Sequence, residues 1–257
     1  MTVKIISIVN QKGGVAKTTT TVNLATAFAA MEKKTLVVDL DPQGNSSTGF
    51  GINQLERKNT IYQVLTGLIK LENAIMSTNV PNLNIVTSNA NLSAAELDLM
   101  NMKDREYLLV NLLEESKAYY DYIIIDCPPS LNLLTINALV AADEVLIPMQ
   151  CDFYSLEGLS HLLKTIEIVE RKLNPKIKIA GILFTMYDRR NRLTEQVEAD
   201  VRKYLGKLVF KTVIPRNIKL SEAPSYGQPA IIYDHKCSGA IAYMQLTKEI
   251  LGRHNEK

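Results

Sequence analysis

Seven short runs rich in β-branched and apolar residues recur along the chain, each set apart from the next by a stretch of helical length or longer. They are VKIISIV (3–9), TLVVD (35–39), LNIV (83–86), YIIID (122–126), EVLIP (144–148), IKIAGILF (177–184) and LVFKTVI (208–214). Strands that are apolar on both faces belong in a parallel sheet covered by helices on each side. Between them, TTTTVNLATAFAAM and LEGLSHLLKTIEIVERKL return apolar residues every three or four positions, which is the helical period. The alternation predicts a doubly wound, mostly parallel α/β fold with helices on both faces. No repeat, low-complexity tract or Pro/Gly/Ser-rich linker divides the 257 residues, so one domain spanning 1–257 is expected.

Composition narrows the function classes. At 46% apolar and 22% charged, the chain is that of an ordinary soluble globular protein, and a net charge of +2 points to no particular partner. The charge is segregated, however: between Asp188 and Lys219 there are nine Lys/Arg against four Asp/Glu. Cys127, Cys151 and Cys237 are odd in number and unpaired in spacing, which predicts reduced thiols rather than a disulfide or zinc framework. His161, His235 and His254 are equally scattered, so no metal cage is expected. The N-terminus reads as a strand rather than a signal peptide, and no apolar run reaches the roughly 18–20 residues that cross a bilayer. A soluble, cytoplasmic protein is expected.

In open α/β sheets, ligands bind beyond the carboxyl ends of the strands. Three polar clusters fall there: NQKGGVAKTT after the first strand, DLDPQGNSS after the second, and DCPPSLNLLT after YIII. In the first, Gly13 and Gly14 allow a sharp turn between strand and helix, so that backbone N–H groups and a helix N-terminus face a polyphosphate. Lys17 is spaced to reach the terminal phosphates, and Thr18 offers a hydroxyl to Mg²⁺. The general loop G-x-x-x-x-G-K-[ST] places glycines where this chain has Gln11 and Ala16. Both are accommodated if the backbone there keeps negative φ, and that is the expectation. The second cluster reads locally as a turn, and the third as an acidic strand end before Pro128 and Pro129.

With its second lysine, Lys12, the segment KGGVAKTT resembles the deviant Walker A motif, KGGxxK[ST], of the ParA/MinD group of P-loop ATPases. Ala16 stands where the commonest form has glycine. The resemblance extends to VVDLDPQGNSS, to YIIIDCPPS as a Walker B strand, and to VIPRNIKLSEAPSYGQP, which is similar to the C-terminal segment of the Soj-like branch. It covers nearly the whole chain. It implies that Lys12, Gly13, Gly14, Val15, Ala16, Lys17, Thr18 and Thr19 bind ATP, with Lys12 reaching the phosphates of the other subunit in a nucleotide-sandwich homodimer. It also implies that Asp41 activates water, that Thr18, Asp39 and Asp126 attend Mg²⁺, and that Pro215 and Asn217 lie near the adenine. Cys127 is expected to be a small buried filler.

What such a switch controls stays more open. Arg189, Arg190, Arg192, Arg202, Lys203, Arg216 and Lys219 form either a basic face for DNA phosphates or a solvated, ion-paired helix face, and composition alone does not choose. The resemblance to Soj-like proteins favours non-specific DNA and a ParB/Spo0J-like centromere-binding partner, with slow, partner-stimulated hydrolysis and nucleoid association. Chromosome and plasmid origin are equally open. The alternative is a MinD-like ATPase that positions the division site from the membrane. Its basic amphipathic C-terminal helix is poorly matched by AIAYMQLTKEILGRHNEK, where Ile241, Met244, Ile250 and Leu251 are expected to dock on the domain, and no membrane contact is expected. Relatives that use the loop for metal-cluster or redox chemistry need paired cysteines. A metabolic kinase needs a second-substrate pocket, of which there is no sign in the sequence. With the first strand beginning at residue 3, no helix-turn-helix extension, and so no repression of its own gene, is expected.

Overall fold

The structure is a computed structural model that describes residues 3–152 and 155–255. One sheet contains β1 (Lys4–Ile8), β2 (Thr35–Asp39), β3 (Ile75–Ser77), β4 (Leu83–Val86), β5 (Tyr122–Asp126), β6 (Glu144–Gln150) and β7 (Lys178–Thr185), in the order β3-β4-β2-β5-β1-β6-β7. All pairings are parallel except β3 with β4, as expected for a doubly wound sheet. Because β5 inserts between β1 and β2, the loops that follow these three strands emerge side by side.

The period of two in β5 explains how the sheet is covered. Ile124 joins a core on one face with Phe28, Tyr243 and Leu246, carried by the helices Lys17–Ala30 and Ser238–Asn255. Ile123 and Ile125 join the other core, with Leu134, Leu139, Leu162 and Ile166. Each such side chain contributes about 1.5–3 kcal/mol by leaving water. The Lys17–Ala30 helix is buried nearly all round, which its small residues permit: Ala25, Ala27 and Ala29 let neighbours approach closely. Its threonines find partners inside the core, Thr20 with the Tyr243 hydroxyl at 3.1 Å and Thr26 with the Val22 carbonyl at 2.8 Å.

One strand expectation fails, and one strand was not expected. The run 208–214 is not a strand: Val209 and Pro215 make only isolated bridges to Ile182 and Tyr187. Its Phe210 and Ile214 amides donate to β7 carbonyls at 3.0 and 2.8 Å, but the intervening Lys211 and Thr212 amides turn to the Glu249 carboxylate at 2.8 and 3.0 Å. A side chain on the last helix has captured the ladder. Conversely, β3 was not expected, since a three-residue antiparallel edge strand carries too little pattern to read.

The last helix also differs in detail. Tyr243, Leu246 and Ile250 are its buried anchors, Met244 and Leu251 are half-buried, and Ile241 is exposed rather than docked. No described helix is long and apolar enough to cross a membrane.

Candidate active site

After β1 the chain turns through Asn10–Ala16 into the Lys17–Ala30 helix, and neighbouring strands pin that turn. Asn10 donates its side-chain amide to the Pro148 carbonyl at 2.7 Å and accepts from the Lys12 amide at 2.9 Å. Gln150 reaches the Gly14 carbonyl at 3.2 Å, and the Thr185 hydroxyl reaches the Val15 carbonyl at 3.0 Å. Gln11 serves as another tie, donating to the Gly158 carbonyl at 3.1 Å, and keeps out of the left-handed region. Ala16 does not. The expectation of negative φ at this position is corrected: Ala16 sits at φ 65°, ψ 33°, the left-handed conformation that normally selects glycine. Gly14 is left-handed as well, at φ 72°, with open space around it.

Ala16 is the cap residue of the helix yet offers no side-chain cap. The positive end of the helix dipole therefore faces the cavity without an internal acceptor on its first turn, an arrangement suited to an anion. Lys17 is almost buried beside it and donates to the Lys12 carbonyl at 3.1 Å. Burial lowers the Lys17 pKa, opposed by the charges of Asp126 and Asp41.

Three aspartates lie behind this turn. Asp39 and Asp126 occupy paired positions on β2 and β5, both fully buried. Asp126 accepts from Thr18 at 2.8 Å, Ser46 at 2.7 Å and Thr21 at 3.1 Å. Asp39 accepts from the Ser47 amide at 2.8 Å, the Ser47 hydroxyl at 2.7 Å and the Asp41 amide at 3.3 Å. Burial pushes both carboxyls up; Asp39 is raised further by the charge of Asp126, and hydroxyl donors oppose the rise at each. Asp41 is held by an Asx turn with the Gln43 amide at 3.0 Å.

A cavity of about 570 Å³ opens in front, lined by Gly13, Gly14, Ala16, Lys17, Thr18, Thr19, Asp41, Pro215 and Asn217 of the expected set. Four expected residues lie off this lining. Val15 is buried beneath the loop, Asp39 and Asp126 are sealed behind it, and Lys12 is turned away. The Lys12 ammonium pairs with Asp152, both side chains about a third exposed, and lies 3.4 Å from the hydroxyl of the buried Ser155. Asn45, Met186 and Arg216 also line the cavity and were not anticipated there. Asn45 lies within the DLDPQGNSS cluster, and Asp152 follows the end of β6, the same signal that found the three clusters.

A family model described as an AAA domain matches residues 3–179. Over 247 residues the chain is 50% identical to the sporulation initiation inhibitor protein Soj of Bacillus subtilis, covering 96% of this chain and 98% of that protein. Over 256 residues it is 48% identical to the chromosome partitioning protein ParA of Caulobacter vibrioides, covering 99% and 96%. The chain belongs to the ParA/Soj family of P-loop ATPases. A solved cobyrinic acid a,c-diamide synthase of Mycobacterium smegmatis, with bound ATP analogue and magnesium, matches at TM-score 0.87 and 34% identity, covering 99% of this chain and 96% of that one.

For a ParA/Soj ATPase, the donor chemistry here fits magnesium. No group of three or more His, Cys, Asp or Glu among the described residues forms a metal cage. A magnesium ion that takes most of its ligands from phosphate and water needs no such cage, only hard oxygens such as the Thr18 hydroxyl and Asp126 carboxylate. Asp39 and Asp126 are alike in this respect: both are fully buried and both accept from protein donors, Ser47 and Asp41 at Asp39 and Thr18, Ser46 and Thr21 at Asp126.

The basic residues of this ATPase divide into two groups. The amide of Arg216 donates to the Tyr187 carbonyl at 3.1 Å, which sets the 215–219 segment beside the 188–192 turn. Arg189, Arg192 and Arg216 are exposed and enter no salt bridge among the described residues, whereas Arg190 pairs with Asp188 at 2.8 Å and Lys219 with Glu222 at 2.9 Å. Arg202 is turned inward, bonded to Glu198 at 2.7 Å and lying over the Phe184 ring. Lys203 is exposed further along the same helix.

Proposed function

We propose that this chain is the ATP-driven switch of a DNA-partition system: a homodimer formed on ATP binds DNA without sequence preference and moves chromosome or plasmid DNA with a ParB-like centromere-binding partner. ATP and Mg²⁺ are its cofactors. The observation that carries the reading is the different placement of the two lysines of the loop. Lys17 serves the chain's own cavity; Lys12 stands outside it at the surface, where a second subunit can receive it.

Phosphoryl transfer to water needs alignment and charge neutralisation more than covalent chemistry. Lys17 and the amides at the helix start would hold the phosphates, Thr18 with Asp126 and Asp39 would hold magnesium and its water shell, and Asp41 at the cavity wall would orient the attacking water. Magnesium, when bound, supplies further neutralisation of phosphate charge. A partner's Lys12 completes the site, so losing the γ-phosphate removes a charge pair across the dimer and lets it open. Arg189, Arg190, Arg192, Arg216 and Lys219 form the DNA face, contacting backbone phosphates without reading bases. The protein is then cytoplasmic and nucleoid-associated. The buried anchors of the last helix favour this over the membrane alternative.

The test is DNA binding with ATP, with ADP and without nucleotide across a salt series, on the wild type and on Lys17→Ala, Lys12→Ala and Asp41→Ala. ATP-dependent, salt-sensitive binding is expected, abolished by Lys17→Ala through loss of nucleotide and by Lys12→Ala through loss of the dimer. Asp41→Ala holds the ATP dimer on DNA. Binding that ignores nucleotide, or a Lys12→Ala protein that dimerises normally, defeats the reading.

A further inference from the structure

Behind the loop that carries Asp41 lies a buried arginine to which no carboxylate among the described residues is hydrogen-bonded. Arg57 is only 4% exposed. Its Nε and Nη2 donate to the Ile52 carbonyl at 3.1 and 2.7 Å, and Nη2 also donates to the Thr48 hydroxyl at 2.8 Å. Nη1 donates to the Gly44 carbonyl at 3.1 Å and the Ser88 carbonyl at 3.2 Å. All five guanidinium donors are thereby engaged. Every acceptor but Ser88 belongs to residues 44–52, and Ser88 lies just beyond β4.

That segment is the continuation of the Asp41 turn. Gly44 donates its amide to the Asp41 carbonyl at 2.9 Å. Ser46 and Ser47 bond Asp126 and Asp39, and Asn45 lines the cavity. Gly44 is left-handed at φ 63°, and a Cβ there would lie 2.4 Å from Arg57 Nη1 and 2.7 Å from the Ser88 carbonyl oxygen. The guanidinium occupies the room a side chain would need. The charge of Asp39 attracts this guanidinium without bonding it, and burial still makes the charge costly, whereas a purely structural filler would be apolar. Five directional bonds are what a loop held to a fraction of an ångström requires.

We infer that Arg57 is a positioning residue for ATP hydrolysis: it clamps residues 44–52 to the end of β4 and so fixes Asp41 and Asn45 at the phosphate end of the cavity. Its bonds touch neither the phosphate-binding turn nor Pro215 and Asn217, so it acts on turnover and not on nucleotide capture. The inference rests on the role given to Asp41 above, and the test separates the two.

Single-turnover ATP hydrolysis and binding of a fluorescent ATP analogue are measured for Arg57→Lys, Thr48→Val, Asp41→Asn and the Asp41→Asn/Arg57→Lys double variant, with thermal melts as a control on folding. A displacement of about 1 Å in a catalytic group lowers rate by about 10- to 100-fold, and Arg57→Lys is expected to fall in that range with analogue affinity within about twofold of wild type. Thr48→Val removes one bond and keeps the charge, and a smaller, turnover-selective loss is expected. The double variant is expected to turn over no more slowly than Asp41→Asn, because a residue acting through Asp41 has nothing left to position. Wild-type turnover in Arg57→Lys, a parallel loss of affinity, or additive losses in the double variant overturns the inference. Should Arg57→Lys not fold, Thr48→Val decides: a normal rate, or a parallel loss of affinity, overturns it. An active Asp41→Asn protein instead removes the reading of Asp41 itself.

Discussion

Ala16 holds φ 65° immediately before Lys17, a conformation that costs an L-residue about 1–2 kcal/mol. Glycine would relieve that strain while costing about 0.4–1 kcal/mol through the freer unfolded chain. Ala16→Gly is therefore expected to be neutral or to stabilise by up to about 1.6 kcal/mol in urea denaturation. Ala25→Gly, inside the buried helix, is expected to lose at least about 1 kcal/mol. A loss of that size at Ala16 would show that the strain argument is wrong. The Lys12–Asp152 pair makes the second residue-scale case. Hydrogen bonds from Lys12 and Ser155, with the Lys12 charge, hold the Asp152 carboxyl below its ordinary value although burial alone would raise it. A pair this exposed is worth roughly 0–1 kcal/mol. If Lys12 must leave Asp152 to reach a partner, Asp152→Asn lowers the ATP concentration for half-maximal dimerisation by up to about fivefold. Light scattering across an ATP titration checks this, and an unchanged or raised midpoint counts against the latch. Lys17 was legible from its spacing after Gly13 and Gly14, and Lys12 and Asp41 from the resemblance of their motifs to a known family. The left-handed Ala16 and the parking of Lys12 on Asp152 were not, because both depend on tertiary contacts that no local pattern encodes.

At the scale of elements, six of the seven expected strands form, since each is a short run buried on both faces and its pattern survives any arrangement of neighbours. The seventh shows the limit of pattern. Residues 208–214 are as β-prone as the rest, yet Glu249 on the last helix takes the Lys211 and Thr212 amides and Arg253 steadies it at 2.9 Å. Burial tends to raise the Glu249 carboxyl, but those amides and the Arg253 charge together hold it below the ordinary value of 4.5. A depressed folded-state value contributes stability that is present above the unfolded value and lost as pH falls through the folded one. Glu249→Gln is expected to destabilise by about 1–2 kcal/mol at pH 7. The difference from wild type should shrink once pH drops below 4.5. Denaturation curves at pH 7, 5 and 3.5 test it; a difference that grows toward acid contradicts the assignment of Glu249 as the charged acceptor.

For the whole molecule, the sheet order does what a list of motifs does not. Inserting β5 between β1 and β2 gathers three loops, distant in sequence, around one cavity, and β7 brings the 188–192 turn against Arg216. The basic stretch therefore becomes a surface on the same side of the sheet as the nucleotide cavity, where closure of the proposed dimer would double it. This doubling has a measurable signature. Each phosphate contact contributes about 0.9 to the slope of log affinity against log salt. One substitution in a monomer changes that slope by about 1, whereas the same substitution in a two-fold dimer changes it by about 2. Arg189 is exposed and does not line the cavity. Arg189→Ala is accordingly expected to leave ATP binding intact and to flatten the salt slope of ATP-state DNA binding by about 2. Arg202→Ala is the control: its guanidinium is spent on Glu198 and on the Phe210 carbonyl at 3.1 Å, so the slope should hold while the melting temperature falls. Fluorescence anisotropy between about 50 and 200 mM salt resolves these cases. A change near 1 makes the monomer the DNA-binding species, and no change removes the 188–192 turn from the DNA face.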